Sequence, residues 1–184
     1  YRAGIYGYEV NVSNFRCEIM GTGDERRIAD PNSPTGSIGL LIDGYCDCYA
    51  RNGVIIGYET GVKSASGANY FSQIHVWGGR PAQKYCYYCS GREDTFDQCY
   101  ADGPRGDDSG PGYGFYVDDY FIRITNCAVL NVGGTRNIIG IFVSENGENA
   151  ILIGNIFIGL EKQHIGKGIA GNLSSSYIFA NGFN

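Results

Sequence analysis

The sequence predicts an all-β solenoid, in which short strands stack as about seven coils. Three observations support this fold: a six-residue template that recurs along the chain, a second template that precedes it, and the absence of helical periodicity. One such unit has too little apolar surface to fold alone. The units must therefore stack and share a continuous core.

The first template is an apolar residue, two others, an apolar residue or Gly, one other residue and an apolar residue. It recurs at intervals of 21 to 38 residues in Val12–Cys17, Ala50–Ile55, Phe71–Val76, Phe96–Ala101, Ile124–Val129 and Ile153–Ile158, and a partial copy begins at Phe179. Its third positions are Asn14, Asn52, Gln73, Gln98, Asn126, Asn155 and Asn181. On parallel strands about 4.8 Å apart these carboxamides would form a ladder that satisfies its own donors and acceptors. An antiparallel sandwich with Asn in its turns is the alternative.

The second template is a Gly followed by a short apolar run. Its copies are Gly4–Tyr6, Gly39–Ile42, Gly61–Val62, Gly114–Val117, Gly140–Val143 and Gly168–Ile169, and Tyr85–Tyr88 fills the same slot without a Gly. Each unit is therefore predicted to be a strand, a corner, a strand and a loop of variable length. The single domain spans 1–184, with loop insertions at 21–37 and 102–113.

Two segments carry a resemblance to known proteins. Gly114–Val117 followed by Asn126–Val129 resembles the right-handed parallel β-helices of the pectate-lyase-like superfamily. Asn69–Gly78 is similar to coils of bacteriophage tailspike and tail-appendage proteins. The resemblance implies a right-handed parallel β-helix that binds bacterial surface polysaccharide, forms a trimer and belongs to a virion or an extracellular protein. The chain begins and stops within what look like coils, so we expect a fragment of a longer protein.

Composition limits the possible partners. The net charge of −5 gives no basic footprint, so nucleic acid is not an expected partner. There is no apolar run long enough for a membrane span and no basic-then-apolar leader, so we expect neither membrane insertion nor a signal peptide in this segment. The expected partners are polysaccharide and either further copies of the chain or the remainder of a longer one.

Three of the seven cysteines are expected to be reduced residues of the core. Cys17, Cys99 and Cys127 occupy core positions of the first template, where a thiol packs as a small apolar group. The pairs Cys46/Cys48 and Cys86/Cys89 raise a four-thiolate zinc site as an alternative, but their spacings do not match the double Cys-x-x-Cys pattern. We therefore expect no metal and no cofactor.

Acidic residues follow the first strand of several units. They are Asp43, Glu93, Asp94, Asp118, Asp119 and Glu145. On stacked coils these acids could form a column with separations suited to glycoside hydrolysis, and crowding would raise the pKa of one member. Asp118 and Glu145 are the first candidates for catalysis, followed by Asp94, and Asp43 and Asp119 are candidates for substrate binding. Alternatively, these acids only accept hydrogen bonds from backbone amides at the corners.

Aromatic residues supply candidate sugar contacts. Trp77, Tyr85, Tyr87, Tyr88, Tyr113, Tyr116 and Tyr120 lie in or beside units three to five. If Cys86 and Tyr88 point inward, strand alternation places Tyr85 and Tyr87 outside. Tyr116 lies between two inward residues and should also point outward. We therefore predict that Tyr85, Tyr87, Tyr116, Tyr120 and Trp77 contact substrate.

Three functional classes follow. The first is a tailspike-like segment that recognises bacterial surface polysaccharide and, if it is an enzyme, hydrolyses it as an endo-glycosidase. The second is a structural or binding β-helix without catalysis. The third is a polysaccharide lyase, which would need Ca²⁺ on the acids and a basic residue such as Arg92 or Arg123 to abstract a proton.

Overall fold

Every strand pairing in the described part of the chain is parallel. The computed structural model describes residues 2–8, 10–18, 36–44, 47–77, 83–104, 110–131, 137–160 and 166–183. Within these ranges the only regular elements are β-strands, so none of them contains a helix that could span a membrane. The predicted all-β, parallel architecture is confirmed, and the antiparallel sandwich is wrong. Most of the insertion at 21–37 and part of that at 102–113 lie outside the described residues.

The described ranges contain eighteen strands. In chain order they are β1 (Arg2–Tyr8), β2 (Val12–Glu18), β3 (Ser37–Asp43), β4 (Tyr49–Ile56), β5 (Thr60–Ser64), β6 (Tyr70–Trp77), β7 (Tyr85–Cys89), β8 (Thr95–Asp97), β9 (Tyr100–Asp102), β10 (Gly112–Val117), β11 (Arg123–Thr125), β12 (Ala128–Leu130), β13 (Ile138–Val143), β14 (Ile151–Ile153), β15 (Ile156–Ile158), β16 (Gly166–Gly171), β17 (Tyr177–Phe179) and β18 (Gly182–Phe183).

The strands form two sheets that the chain visits alternately. Sheet A has seven strands in the order β1-β3-β5-β7-β10-β13-β16. Sheet B has eleven strands, in which the long strands β2, β4 and β6 pair side by side, and β6 then pairs with β8 along its first half and with β9 along its second. From β8 onward each visit to sheet B is thus split into two short strands. This arrangement is consistent with a β-solenoid.

Apolar side chains form columns between the sheets, where a column means the residues that share one register position on successive strands. One column of sheet A contains Leu40, Val62, Tyr87, Phe115 and Ile141, and one column of sheet B contains Ala50, Phe71, Phe96, Ile124 and Leu152, all of them buried. The Tyr87 and Phe115 rings stack with centroids 4.4 Å apart. In-register parallel strands place equivalent rings one strand spacing apart, so aromatic stacking follows from the register.

The Gly of the second template marks a close approach of the two sheets. Gly39, Gly61, Gly114 and Gly140 share one column, and Cys86 fills it in β7. A Cβ atom on Gly61 would lie against Val76 of sheet B and 2.6 Å from the carbonyl oxygen of Cys86. The Gly column and the column after it are both buried, so strict alternation fails at this point.

Because two successive positions face the interior, the predicted orientation of the β7 tyrosines has to be corrected. Cys86 and Tyr87 are both buried, and Tyr87 has no solvent exposure. The Tyr87 hydroxyl lies 2.6 Å from the carbonyl oxygen of Ile74, to which it donates a hydrogen bond. Tyr88, predicted to point inward, is half-buried on the outer face. The expectation that Tyr87 points outward is therefore wrong.

The seven carboxamides occupy two columns instead of one. Asn14, Asn52, Gln73, Gln98 and Asn126 share an exposed corner position with φ between 52° and 55°. In the last two units this position holds Gly154 and Ala180. Asn155 and Asn181 come one residue later, in the column of Cys99 and Cys127. The prediction of a single ladder is wrong for these two residues.

Both columns contain amide contacts. At the exposed corner Asn52 Nδ2 donates to Asn14 Oδ1 over 3.3 Å, and Gln73 Nε2 donates to Gln98 Oε1 over 3.2 Å. In the second column Asn155 is buried. Its Oδ1 accepts from the Cys127 backbone N–H, and its Nδ2 donates to the Ile124 carbonyl.

The described cysteines belong to the core. Cys17, Cys86, Cys89, Cys99 and Cys127 are buried free thiols, and Cys48 is also buried. Burial raises the pKa of the Cys17, Cys86, Cys89 and Cys127 thiols, which keeps them protonated and poorly nucleophilic. Cys17, Cys99 and Cys127 are therefore core residues outside any disulfide, as predicted. Cys46 lies outside the described residues, and the described ones contain no group of three or more His, Cys, Asp or Glu side chains that could hold a metal.

Candidate functional site

The outer face of sheet A carries a continuous aromatic surface. One outward column contains Tyr6, Leu41, Lys63, Tyr88, Tyr116 and Phe142. A second outward column places Tyr85 beside Tyr113. We call Tyr85, Tyr88, Tyr113, Tyr116 and Phe142 the tyrosine cluster. All five side chains are half-buried.

The rings of the tyrosine cluster hold one another in place. Tyr85 stacks on Tyr113 with centroids 5.4 Å apart, and Tyr88 stacks on Tyr116 at 5.3 Å. Between these stacks, Tyr85 meets Tyr88 and Tyr116 edge to face, and Phe142 extends the surface beyond Tyr116. The rings therefore form a pre-organised platform, because each is packed against at least two others.

The surroundings keep the cluster hydroxyls protonated. Burial raises the pKa of Tyr85, Tyr113 and Tyr116. Burial, followed by the hydrogen bond to Asp118, also raises the pKa of Tyr88. Lys63 Nζ lies 5.1 Å from the Tyr88 ring centroid, a cation–π distance. The surface thus combines apolar ring faces, neutral hydroxyl groups and a positive charge.

Asp118 lies at the edge of the tyrosine cluster. Its Oδ2 accepts a 2.6 Å hydrogen bond from the Tyr88 hydroxyl. Its Oδ1 accepts from Ser144 Oγ at 2.7 Å and from Asn146 Nδ2 at 3.2 Å. Asp118 therefore joins the sheet A corners to the aromatic surface.

The acids do not form the predicted single column. Asp43, the last residue of β3, shares its register position with the residues that follow the later sheet A strands, which are Ala65, Ser90, Asp118, Ser144 and Asn172 in turn. Ser144 therefore lies next to Asp118, while Glu145 is an exposed residue one position further along. Asp43 and Asp119 accept hydrogen bonds from the backbone N–H groups of the residues that follow them, Gly44 and Tyr120, which is the corner role that acids commonly play.

Asp94 lies inside the core, away from the surface acids. Its side chain has no solvent exposure. Oδ1 accepts a hydrogen bond from the Asn69 backbone N–H, and Oδ2 has no hydrogen-bond partner among the described residues. Burial raises the pKa of Asp94 to about 8, although contacts with Ser64 and Asn69 oppose this shift. The buried position separates Asp94 from any polysaccharide bound to the surface.

The remaining predicted contacts are scattered. Tyr87 is in the core. Tyr120 lies at the corner after sheet A, where Arg92 Nη1 donates to its hydroxyl over 2.6 Å. Trp77 lies in β6 of sheet B, in register with Ile56 and Asp102. Of the predicted site residues, Tyr85, Tyr116 and Asp118 therefore lie at the tyrosine cluster.

A groove extends the aromatic surface toward β1. Its volume is about 520 Å³, and it is lined by Ala3, Tyr6, Ile38, Leu41, Asp43, Lys63 and Ala65. Asp43 is the predicted substrate-binding residue in this groove. Sequence reasoning missed Tyr6, Lys63 and Phe142. Aligning every second-template run on its Gly slot would have found them, because that alignment places all three in the column of Tyr116.

Comparisons of the chain with protein-family models, with curated proteins and with solved structures gave no match.

Proposed function

We propose that the chain is part of a right-handed parallel β-helix of about seven coils that binds bacterial surface polysaccharide, as in a phage tailspike or tail appendage. The tyrosine cluster on the outer face of sheet A is the observation that carries this proposal. The parallel sheets support the fold, and crossover connections between parallel strands are right-handed in nearly all proteins.

The chemistry of the cluster suits a sugar ligand. A sugar ring presents C–H groups on its faces and hydroxyl groups around its rim. Half-exposed tyrosine rings offer apolar faces for the former and hydroxyl groups for the latter. Because the rings are already packed against one another, binding would cost little side-chain entropy.

The shape of the surface suits an extended ligand. The column from Tyr6 to Phe142 crosses six strands of sheet A, which corresponds to about 24 Å at the usual strand spacing. The groove near Tyr6 continues the same surface. A linear chain lying across the strands would contact the groove, Lys63 and the tyrosine cluster together.

Hydrolysis is the second candidate activity. It is favoured by the contact of Asp118 with Tyr88, which puts one carboxylate at the edge of the proposed binding surface. Glu145 is exposed on the following corner and would be the second acid. Glycoside hydrolysis needs two carboxyl groups on opposite sides of the bond. Reducing ends released by the wild type and lost in Asp118→Asn would identify this reaction, whereas an unsaturated product would identify a lyase.

We also propose that three copies associate in a virion. Ile156 and Ile158 are exposed on the outer face of sheet B, at 44% and 41%, and apolar surface of this kind suits a subunit contact. Sedimentation of the wild type and of Ile156→Lys tests this point. A trimer that dissociates in the variant supports it, and a wild-type monomer contradicts it.

Binding to a panel of purified capsular and O-antigen polysaccharides tests the main proposal. We expect Tyr116→Ala to weaken binding by about tenfold or more, equivalent to about 1.4 kcal/mol. Tyr177→Ala is the matched control, because Tyr177 is an exposed tyrosine of sheet B. Equal affinity of the two variants, or failure of the wild type to bind any member of the panel, would overturn the proposal.

A further inference from the structure

A second groove lies on the outer face of sheet B, away from the tyrosine cluster. Its volume is about 410 Å³, and it is lined by Asp47, Cys48, Tyr49, Arg51, Ala68, Tyr70 and Ser72. The register pairs Tyr49 with Tyr70 and Arg51 with Ser72. Two tyrosines therefore lie side by side on β4 and β6, next to an arginine and a serine.

Arg51 contributes a positive charge to this groove, and Asp47 contributes a carboxylate. Its side chain is exposed, and the guanidinium lies 5.2 Å from the centroid of the Tyr49 ring. No ion pair joins Arg51 to a carboxylate of the described residues. The nearby Asp97 carboxylate on β8 instead accepts hydrogen bonds from Thr125, Asn126 and Tyr70. The planar donors of Arg51 are thus available to an anion, and contact with Tyr49 restricts their orientation.

We propose that this groove binds an acidic sugar, with its carboxylate on Arg51. A guanidinium and a carboxylate form a pair of parallel hydrogen bonds, which fixes the orientation of the ligand. The Tyr70 ring, 44% exposed, would stack on the sugar face, and Ser72 would bond to a sugar hydroxyl. An inorganic anion would use Arg51 but would leave the two rings without a contact. The inference extends the proposed carbohydrate-binding function to a separate site and to a ligand class.

Titration with D-glucuronate, D-glucose and acetate tests the inference, with ligand-observed NMR as the readout. Glucuronate should bind at least about tenfold more tightly than either glucose or acetate, because only glucuronate uses both Arg51 and the rings. Arg51→Gln should remove this preference, and Arg51→Lys should restore only part of it, because an ammonium group cannot form the paired hydrogen bonds. Tyr70→Ala should weaken glucuronate binding. The affinity for glucose should not rise relative to the affinity for glucuronate.

Arg16→Gln is the matched control. Arg16 is also exposed on the outer face of sheet B, on β2 in register with Val54 of β4, and it does not line the groove. The control should bind glucuronate as the wild type does. Equal binding of acetate and glucuronate would reduce the site to a simple anion contact and overturn the inference, as would unchanged affinity in Arg51→Gln.

The two proposals fail in different ways. Tyr116→Ala should retain glucuronate binding, because Tyr116 lies on sheet A. Loss of polysaccharide binding in Tyr116→Ala without any glucuronate binding by the wild type would leave the sheet A proposal intact and contradict this inference. Glucuronate binding by a wild type that binds no polysaccharide would support this inference and contradict the sheet A proposal.

Discussion

The backbone N–H of Asn69 donates a 2.9 Å hydrogen bond to Oδ1 of Asp94 inside the core. The two residues share a column with Cys48 below and Ile122 and Ala150 above, as the backbone hydrogen bonds between the strand starts show. Asn69 Oδ1 in turn accepts from the Cys48 N–H. The side chains of Asn69 and Asp94 thus satisfy backbone donors at the corner, where the strand ladder is interrupted.

Asp94 should make stability fall as pH rises. Its pKa is about 8 in the folded chain and near 4 when unfolded, so between these values the folded state holds a proton that the unfolded state lacks. The free energy of unfolding should therefore decrease from about pH 4 to about pH 8, by up to about 1.4 kcal/mol per pH unit. Asp94→Asn keeps the Oδ1 acceptor and should flatten this dependence. Urea unfolding at pH 5 and pH 9 provides the measurement.

The control for this prediction is Asp94→Ala, which removes the acceptor. It should be less stable than Asp94→Asn at both pH values, because the Asn69 N–H loses its partner. Parallel pH profiles for the wild type and Asp94→Asn would show that Asp94 does not cause the dependence.

Asn155 should contribute more to stability than Asn126. Asn155→Ala removes the hydrogen bond from the Cys127 N–H and the hydrogen bond to the Ile124 carbonyl, at a cost of about 1–3 kcal/mol. Asn126 is exposed at φ 53°, a conformation that Gly adopts without strain. Asn126→Gly should therefore change the free energy of unfolding by less than about 0.5 kcal/mol. If chemical denaturation finds the reverse order, the corrected register of the carboxamides is wrong.

Gly61 should not tolerate a methyl group. A Cβ atom there would meet Val76 and the Cys86 carbonyl, whereas a Cβ atom on Gly110 would have none of the described residues within 4 Å. Gly61→Ala should thus lower the free energy of unfolding by about 1–3 kcal/mol through overpacking. Gly110→Ala, the matched control, should leave thermal and urea unfolding nearly unchanged. Similar midpoints for both variants would contradict the close approach of sheets A and B.

Tyr87 should act in stability and not in binding. Tyr87→Phe removes the hydrogen bond to the Ile74 carbonyl, so a loss of about 1 kcal/mol is expected, with unchanged affinity for polysaccharide. Tyr116→Phe removes a hydroxyl at the half-exposed surface and should show the opposite pattern. Unfolding curves and binding curves measured on the same two proteins distinguish these roles. A binding defect in Tyr87→Phe alone would return Tyr87 to the candidate site.

The tyrosine orientations illustrate how a template can outperform simple alternation. Alternation starting from Cys86 places Tyr87 outside, and this prediction fails because two successive positions face the interior at the Gly slot. Alignment of Cys86 with Gly114 instead pairs Tyr87 with the buried Phe115 and Tyr88 with Tyr116. The sequence therefore contained the correct answer for Tyr87, but in the repeat and not in the local pattern.

The carboxamides show where even the repeat was insufficient. The last two templates can be read from Ile153 and Phe179 or one residue earlier, and both readings place an Asn near the corner. Only the pairing of Thr125 with Ile153 and of Ala128 with Ile156 shows that Gly154 occupies the exposed corner and Asn155 the interior. A shift of one residue exchanges the two faces of a strand.

The repeats were enough to predict strands, their parallel stacking and the apolar columns of the core, because these features depend on patterns within a few residues and on the need of each unit to bury its apolar face. The repeats were not enough to predict which residues make up the surface columns. Asp118 meets Ser144 and not Glu145, and Asp94 lies inside the core, because loops of different length bring residues from distant parts of the chain into register. That register is established by hydrogen bonding between strands and packing between sheets, which no single unit contains.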